Sequence, residues 1–169
     1  MQFFKKKKQR GVFFIDHDNL VTSLKLVSPD EASIISRFDH VIRRIVEANR
    51  EIVDVFVFLP PQQAYIWGET YHELGFYTIV CPRIQNKKGE KEDTVDDTLI
   101  RFGKMAIDNM KDLSFICLGS GDKDFSPLVR QARKKGLEII VVAASTNSLS
   151  SDLINLADKT FFLKPIQTD

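Results

Sequence analysis

Leu113-Ser114-Phe115-Ile116-Cys117-Leu118-Gly119-Ser120-Gly121-Asp122-Lys123-Asp124-Phe125 is the stretch whose reading decides the fold. Its apolar run is short enough for a buried strand and stops at three small residues. Two carboxylates, Asp122 and Asp124, follow before Ser126-Pro127-Leu128 opens a helical pattern. A strand that ends in small residues and acids delivers charge at its carboxyl end, where open α/β sheets bind ligands. Such a turn repels phosphate unless a cation intervenes, so it suggests a divalent metal site. The same residues would also serve a plain strand-to-helix turn with an Asp as N-cap.

Working outward, Val12-Phe13-Phe14-Ile15 repeats the device: a β-rich apolar run meets Asp16-His17-Asp18-Asn19. Asp16 and Asn19 are spaced to face one pocket around a turn, whereas His17, with no second histidine, reads as incidental. Ser28-Pro29-Asp30-Glu31 is a helix start, and Ile34, Ile35, Phe38, Val41, Ile42, Ile45 and Val46 recur at helical spacing to about Asn49. Glu51–Leu59 is the second strand, 62–74 a second helix stopped by Gly75, and Phe76–Cys81 the third strand. Tyr65, Trp67 and Tyr71 on that helix read as packing residues in preference to base-stacking surfaces. Residues 82–92 form a polar, net basic loop with Arg83, Lys87, Lys88 and Lys91, of the kind that carries ligand contacts at strand ends.

Asp93-Thr94-Val95-Asp96-Asp97 opens the third helix. Thr94 with Asp97 has the spacing of a capping box, and carboxylates favour a helix N-terminus, which accounts for Asp93 and Asp97. Asp96 is left over, beside the apolar Val95, as the acid expected to turn toward the sheet. After the Leu113 strand come a helix over 126–135, a strand over 137–144, a short helix over 148–157 and a sixth strand over 160–163. This alternation predicts a three-layer α/β/α domain, its mainly parallel sheet of about five or six strands ordered 3-2-1-4-5. In that order strands one and four are neighbours at the switch point, which brings Asp16 and Asp122 together with Asp96 beside them. Carboxylates so crowded call for a cation, and oxygen ligands favour Mg²⁺ or Mn²⁺.

The 169 residues suit one domain over 11–163, between a basic N-terminal tail (1–10) and a short C-terminal tail (164–169). A net charge of +1 recommends no partner by itself. Cys81 and Cys117 close apolar runs and read as buried thiols, so the expected setting is a reducing cytoplasm. No apolar run is long enough to span a membrane, and Gly11–Ile15 is too short for a signal peptide.

FFIDHDN, TVDD and GSGDKDFSPLV together resemble the NYN domain in its LabA-like branch, a relative of the PIN-domain nucleases. KKGLEIIVVAAS and SSDLINLADKTFFL extend the likeness over about 11–163. The resemblance implies a PIN-like, Rossmann-like fold and metal-dependent RNA cleavage with Mg²⁺ or Mn²⁺. Asp16, Asp96, Asp122 and Asp124 match the family's catalytic acids and Asn19 its accompanying Asn. Asp16, Asp96 and Asp122 become the expected metal ligands, with Asn19 and Ser120 positioning phosphate or water. Arg83, Lys87, Lys88 and Lys91 would follow the RNA backbone. The branch often has Lys-Gly directly before Val-Asp; here Glu92-Asp93-Thr94 intervenes after Lys91, which leaves Asp96 and Asp97 as alternatives for the third acid. A homodimer is left open.

Two further readings accompany this one. FFIDHDN also resembles a haloacid-dehalogenase-like phosphatase, with Asp16 as nucleophile and Asp18 as acid/base. Strands two and three, however, end in Leu59-Pro60 and Cys81-Pro82 instead of the Ser or Thr that chemistry wants. The other is an RNA-binding or regulatory NYN module that keeps the acids without turnover.

Overall fold

The computed structural model describes residues 7–24, 31–47 and 49–163. The expected helix start at 28–30, the outer part of the basic tail and the C-terminal tail lie outside these residues. Strands β1 (Gln9–Asp16), β2 (Arg50–Leu59) and β3 (Tyr77–Val80) alternate with helices α1 (His17–Ser23), α2 (Glu31–Val46) and α3 (Pro61–Glu73). A small ribbon, β4 (Ile84–Gln85) and β5 (Lys91–Glu92), precedes α4 (Val95–Asn109). Then come β6 (Leu113–Gly119), α5 (Ser126–Lys134), β7 (Glu138–Ala143), α6 (Ser151–Leu156) and β8 (Lys159–Phe162).

Among the described residues the main sheet has six strands, all paired in parallel, in the order β3-β2-β1-β6-β7-β8. Counting only its own strands this is 3-2-1-4-5-6, the expected order with the sixth strand added at the edge. Right-handed crossovers dictate the layers. The chain winds β1→β2→β3 toward one edge, which leaves α1, α2 and α3 on one face. It then returns through α4 to β6 and winds the other way, which puts α4, α5 and α6 on the opposite face. The period-2 alternation of β1 serves both layers. Phe13 and Ile15 pack with Leu20, Phe38, Trp67 and Tyr71, while Val12 and Phe14 pack with Leu99, Ile107, Leu128 and Leu153. Phe13 and Phe14 are fully buried, each contributing roughly 1.5–3 kcal/mol. The strand that ends in Asp16 is therefore held along its length from both sides.

Several local expectations shift. α1 starts at His17 with no intervening turn, β1 begins inside the basic tail at Gln9, and α2 ends three residues before Asn49. Gly75 does follow α3 with φ +74°, the left-handed stop the sequence suggested. At the amino ends of the strands, Arg50 donates to both carboxylate oxygens of Glu138 at 2.7 Å and lies over the Phe115 ring, with Lys159 3.6 Å from Glu138. This ion pair fastens β2 to β7 beneath β1 and β6, at the opposite end of the sheet from the acids. No helix among the described residues is long and apolar enough to cross a membrane.

Candidate active site

Asp16 ends β1 and its side chain stands where α1 begins. Its Oδ1 accepts the Asn19 N–H at 3.3 Å, the bond of an N-cap, which explains why the helix starts without a glycine or proline signal. Its Oδ2 accepts the Ser120 hydroxyl at 3.3 Å, across from the end of β6. Ser120 Oγ in turn accepts the Asp122 N–H at 3.2 Å, and Asn19 Oδ1 accepts the Gly121 N–H at 3.0 Å. Two of these four hydrogen bonds, Ser120 to Asp16 and Gly121 to Asn19, lace the two parallel strand ends together. Behind them, the Ser150 N–H donates to the Gly121 carbonyl at 2.9 Å. The loop after β7 closes so tightly that a Cβ at Gly121 would overlap the Ser148 carbonyl oxygen.

A cavity of about 250 Å³ opens over these strand ends, lined by Asp16, Asp18, Asn19, Asp93, Val95 and Asp96. Asp16 is 5% exposed. Burial pushes its carboxyl up to about 7; the negative charges of Asp96 and Asp18 add to the shift, and the bonds from Asn19 and Ser120 oppose it. Half-buried Asp18 is also raised, by burial and by Asp93, against the pull of the Arg83 guanidinium. Asp96 is open to solvent, yet it too is raised: first by partial loss of hydration, then by Asp122, Asp124, Asp93 and Asp97. Asp16, Asp18 and Asp96 are each made harder to ionise first by burial and then by neighbouring carboxylates, as in a cluster short of positive charge.

The structure brings the expected acids together only in part. Asp16 and Asp96 line one cavity, and Asp122 and Asp124 lie within electrostatic reach of Asp96. Asp97 shares the helix start but does not line the cavity. Asp122 is also an N-cap, its Oδ1 accepting the Asp124 N–H at 3.0 Å in a short 3₁₀ turn; the plain-turn reading and the acid-cluster reading apply to the same residue. The Thr94–Asp97 capping box does not form. Thr94 donates its hydroxyl to the Pro82 carbonyl at 2.6 Å, and Asp93 Oδ1 accepts the Val95 N–H instead.

Ser120 is fully buried, with its hydroxyl donated to Asp16 and its oxygen accepting from Asp122, so it positions the acids and does not reach a phosphate. His17 is a buried packing residue. Its Nδ1 is 2.7 Å from the Tyr71 hydroxyl, its ring meets Trp67 edge-on, and burial lowers its pKa to about 4. Sequence reasoning passed over Asp18 and Asp93 as site residues of a nuclease. For Asp18 the signal is its place two residues after Asp16; Asp93 is accounted for by the helix start, which it does serve by accepting the Val95 N–H.

The basic loop is the β4–β5 ribbon. Asn86 ties its tip: Oδ1 accepts the Lys88 and Glu90 N–H groups and Nδ2 donates to Glu90. Arg83, Lys87, Lys88 and Lys91 are all exposed, and Arg83 is the one coupled to the cavity, through Asp18.

Among the described residues no three His, Cys, Asp or Glu side chains are disposed to share one ion. In donor chemistry the cavity nevertheless fits a hard divalent cation, since its polar lining consists of carboxylate and amide groups and its acids repel one another.

A parallel sheet with this switch point, covered on both faces, defines a three-layer domain of PIN-like fold. The chain belongs to the NYN domain family, whose model matches residues 11–164, and through it to the PIN-like nuclease superfamily. A protein of unknown function from Vibrio parahaemolyticus has a similar solved structure. Its TM-score is 0.70 at 19% identity, with 97% of each chain covered, a likeness of fold alone. MurG from Acinetobacter baumannii gives a TM-score of 0.47 at 10% identity over 95% of this chain and 43% of that one, too loose to bear on fold or function. No curated protein matches the sequence.

Proposed function

We propose that the protein is a metal-dependent ribonuclease of the LabA-like branch, working at the cavity between β1 and α4. The observation that supports this most is the set of carboxylates raised by burial and by one another around one opening, in a chain of the NYN family. Asp16, Asp96 and Asp122 would hold Mg²⁺ or Mn²⁺ in part through the ion's own waters, since no three acids among the described residues are disposed to bind one ion directly. When bound, the ion supplies charge to offset the phosphate and acidifies water. Asp124, exposed and within electrostatic reach of Asp96, would orient the attacking water or accept its proton. Asn19 commits its Oδ1 to Gly121, which leaves its amide N–H groups to donate to a phosphate oxygen. Ser120 holds Asp16 in place. The two cysteines are free and buried, which suits a reducing cytoplasm.

Incubation of an unstructured RNA with Mn²⁺ or Mg²⁺ should give cleavage that EDTA abolishes. RNA binding without metal-dependent cleavage would identify a regulatory module instead, and a phosphorylated Asp16 would identify a phosphatase.

Asp96 and Asp97 separate under the same conditions. In EDTA, Asp96→Asn removes a repelled charge and should leave the melting temperature unchanged or slightly higher, but it should lose the Mn²⁺-induced rise. For the parent protein that rise approaches about 2.7 kcal/mol at a hundredfold excess over Kd. Asp97→Asn should keep the rise and the activity. If the two exchange behaviour, Asp97 is the third acid.

Reversing Lys87, Lys88 and Lys91 to Glu should weaken RNA binding and flatten its dependence on salt, by roughly 0.7 in log–log slope for each phosphate that is no longer neutralised. Metal affinity should stay near that of the parent. An unchanged slope would take the ribbon off the RNA path.

A further inference from the structure

Of the three α3 aromatics that read as packing residues, Trp67 and Tyr71 are 1% and 0% exposed, but Tyr65 is 94% exposed. It does not stand alone. Pro61, Gln62, Gln63, Tyr65 and Ile66 line an open groove of about 530 Å³ on the first turns of α3, and Ile66 is itself 42% exposed. The groove lies at the same edge of the sheet as the acid cavity, since α3 starts at the carboxyl end of the strand paired with β1. Gln63 hydrogen-bonds His17, and His17 directly follows Asp16 in the chain. α3 rises from the carboxyl end of β2, whose Phe58 is the register partner of Asp16.

The geometry points to a nucleobase subsite: Tyr65 as a stacking shelf, with Ile66 and the Gln62 side chain beside it, that takes an unpaired base of single-stranded RNA near the scissile phosphate. This rests on the nuclease reading of the acid cavity. The chemistry of the groove favours a base over a phosphate or a charged peptide. Its lining carries no charge, offers one aromatic face and presents neutral amides that match the donors and acceptors of a base edge. The cations that a backbone needs are on the β4–β5 ribbon, where Arg83 faces Asp18 of the acid cavity. A base inside a duplex is already stacked on both sides, so the shelf selects single strands.

Because Tyr65 is almost wholly in solvent, replacing it leaves the core intact. Filter-retention Kd values for an unstructured RNA, measured in EDTA so that nothing is cut, should rise about tenfold or more for Tyr65→Ala. Tyr65→Phe, which keeps the ring, should stay within about twofold. Repeating both on RNAs with one abasic nucleotide at successive positions should abolish the Tyr65→Ala effect at one position, the stacked base. Cleavage of the same RNA with Mn²⁺ separates the two readings. Cleavage with equal binding by all three proteins overturns the shelf and leaves the nuclease standing. A Tyr65-dependent Kd without cleavage keeps the shelf and overturns the nuclease. Failure of the parent protein to retain RNA overturns the shelf outright.

Discussion

Asp16→Asn should abolish RNA cleavage while making the metal-free protein more stable, and the gain should depend on pH. In the folded chain burial raises the Asp16 carboxyl from 3.8 to about 7. Between those values the native state holds a proton that the unfolded chain has released. Parent stability therefore falls as pH rises through this window, and the loss is complete above about 7. Asparagine has nothing to ionise, so the advantage of the variant is absent near pH 4, grows to neutrality and levels off beyond it. The shift sets a ceiling of about 4 kcal/mol. Part of this is forfeited where the asparagine amide faces Ser120, so a rise of roughly 5 °C in melting temperature at pH 8 is the expected result. Mn²⁺ should raise the melting temperature of the parent and leave the variant unmoved. A variant that melts lower at every pH would make Asp16 a structural cap and remove the central ligand from the proposed site.

Gly121→Ala should be among the most damaging small substitutions in the chain. The new methyl meets the Ser148 carbonyl and the Leu149 Cα, which are backbone atoms that cannot swing aside. Either the loop after β7 lifts, breaking the Ser150–Gly121 bond, or Gly121 retreats and carries Ser120 and Asp122 with it. A destabilisation of roughly 2–4 kcal/mol follows from such overpacking. A displacement of about 1 Å in the acids would cost on the order of a hundredfold in rate. Gly68→Ala is the control with the opposite sign: nothing lies within 4 Å of its added methyl and it sits inside α3, so it should stabilise by roughly 0.5–1 kcal/mol. Thermal melts and single-turnover cleavage of the two variants would test this, and a Gly121→Ala protein that melts within a degree of the parent would show that the loop yields.

The sheet was legible because its strands announce their ends. An apolar run that breaks into Asp16, or into Gly119-Ser120-Gly121-Asp122, marks both the strand and the edge of the site. The preference for right-handed crossovers then assigns each helix to a face of the sheet. What could not be read is what depends on partners distant in sequence. Thr94 and Asp97 have capping-box spacing, but Pro82, twelve residues away, claims the threonine. Ser120 looks like a phosphate contact until Asp16 is seen to take its hydroxyl. The β4–β5 ribbon has strands of only two residues, too short for any periodicity, and is shaped instead by the bonds of Asn86. Tyr65 and Trp67 are two residues apart on one helix, and periodicity alone did not say which of them faced water.

The buried contact between Trp67 and His17 has a practical consequence. Trp67 is the chain's one tryptophan, and its ring centroid lies 5.2 Å from that of the residue next to Asp16. Because His17 stays neutral until its depressed pKa near 4, protonation of the imidazole leaves the indole undisturbed across the neutral range. The protein thus carries its own fluorophore in contact with the residue that follows Asp16 in the chain. A change in its emission on adding an ion or an oligonucleotide would report a disturbance reaching His17, with no label introduced.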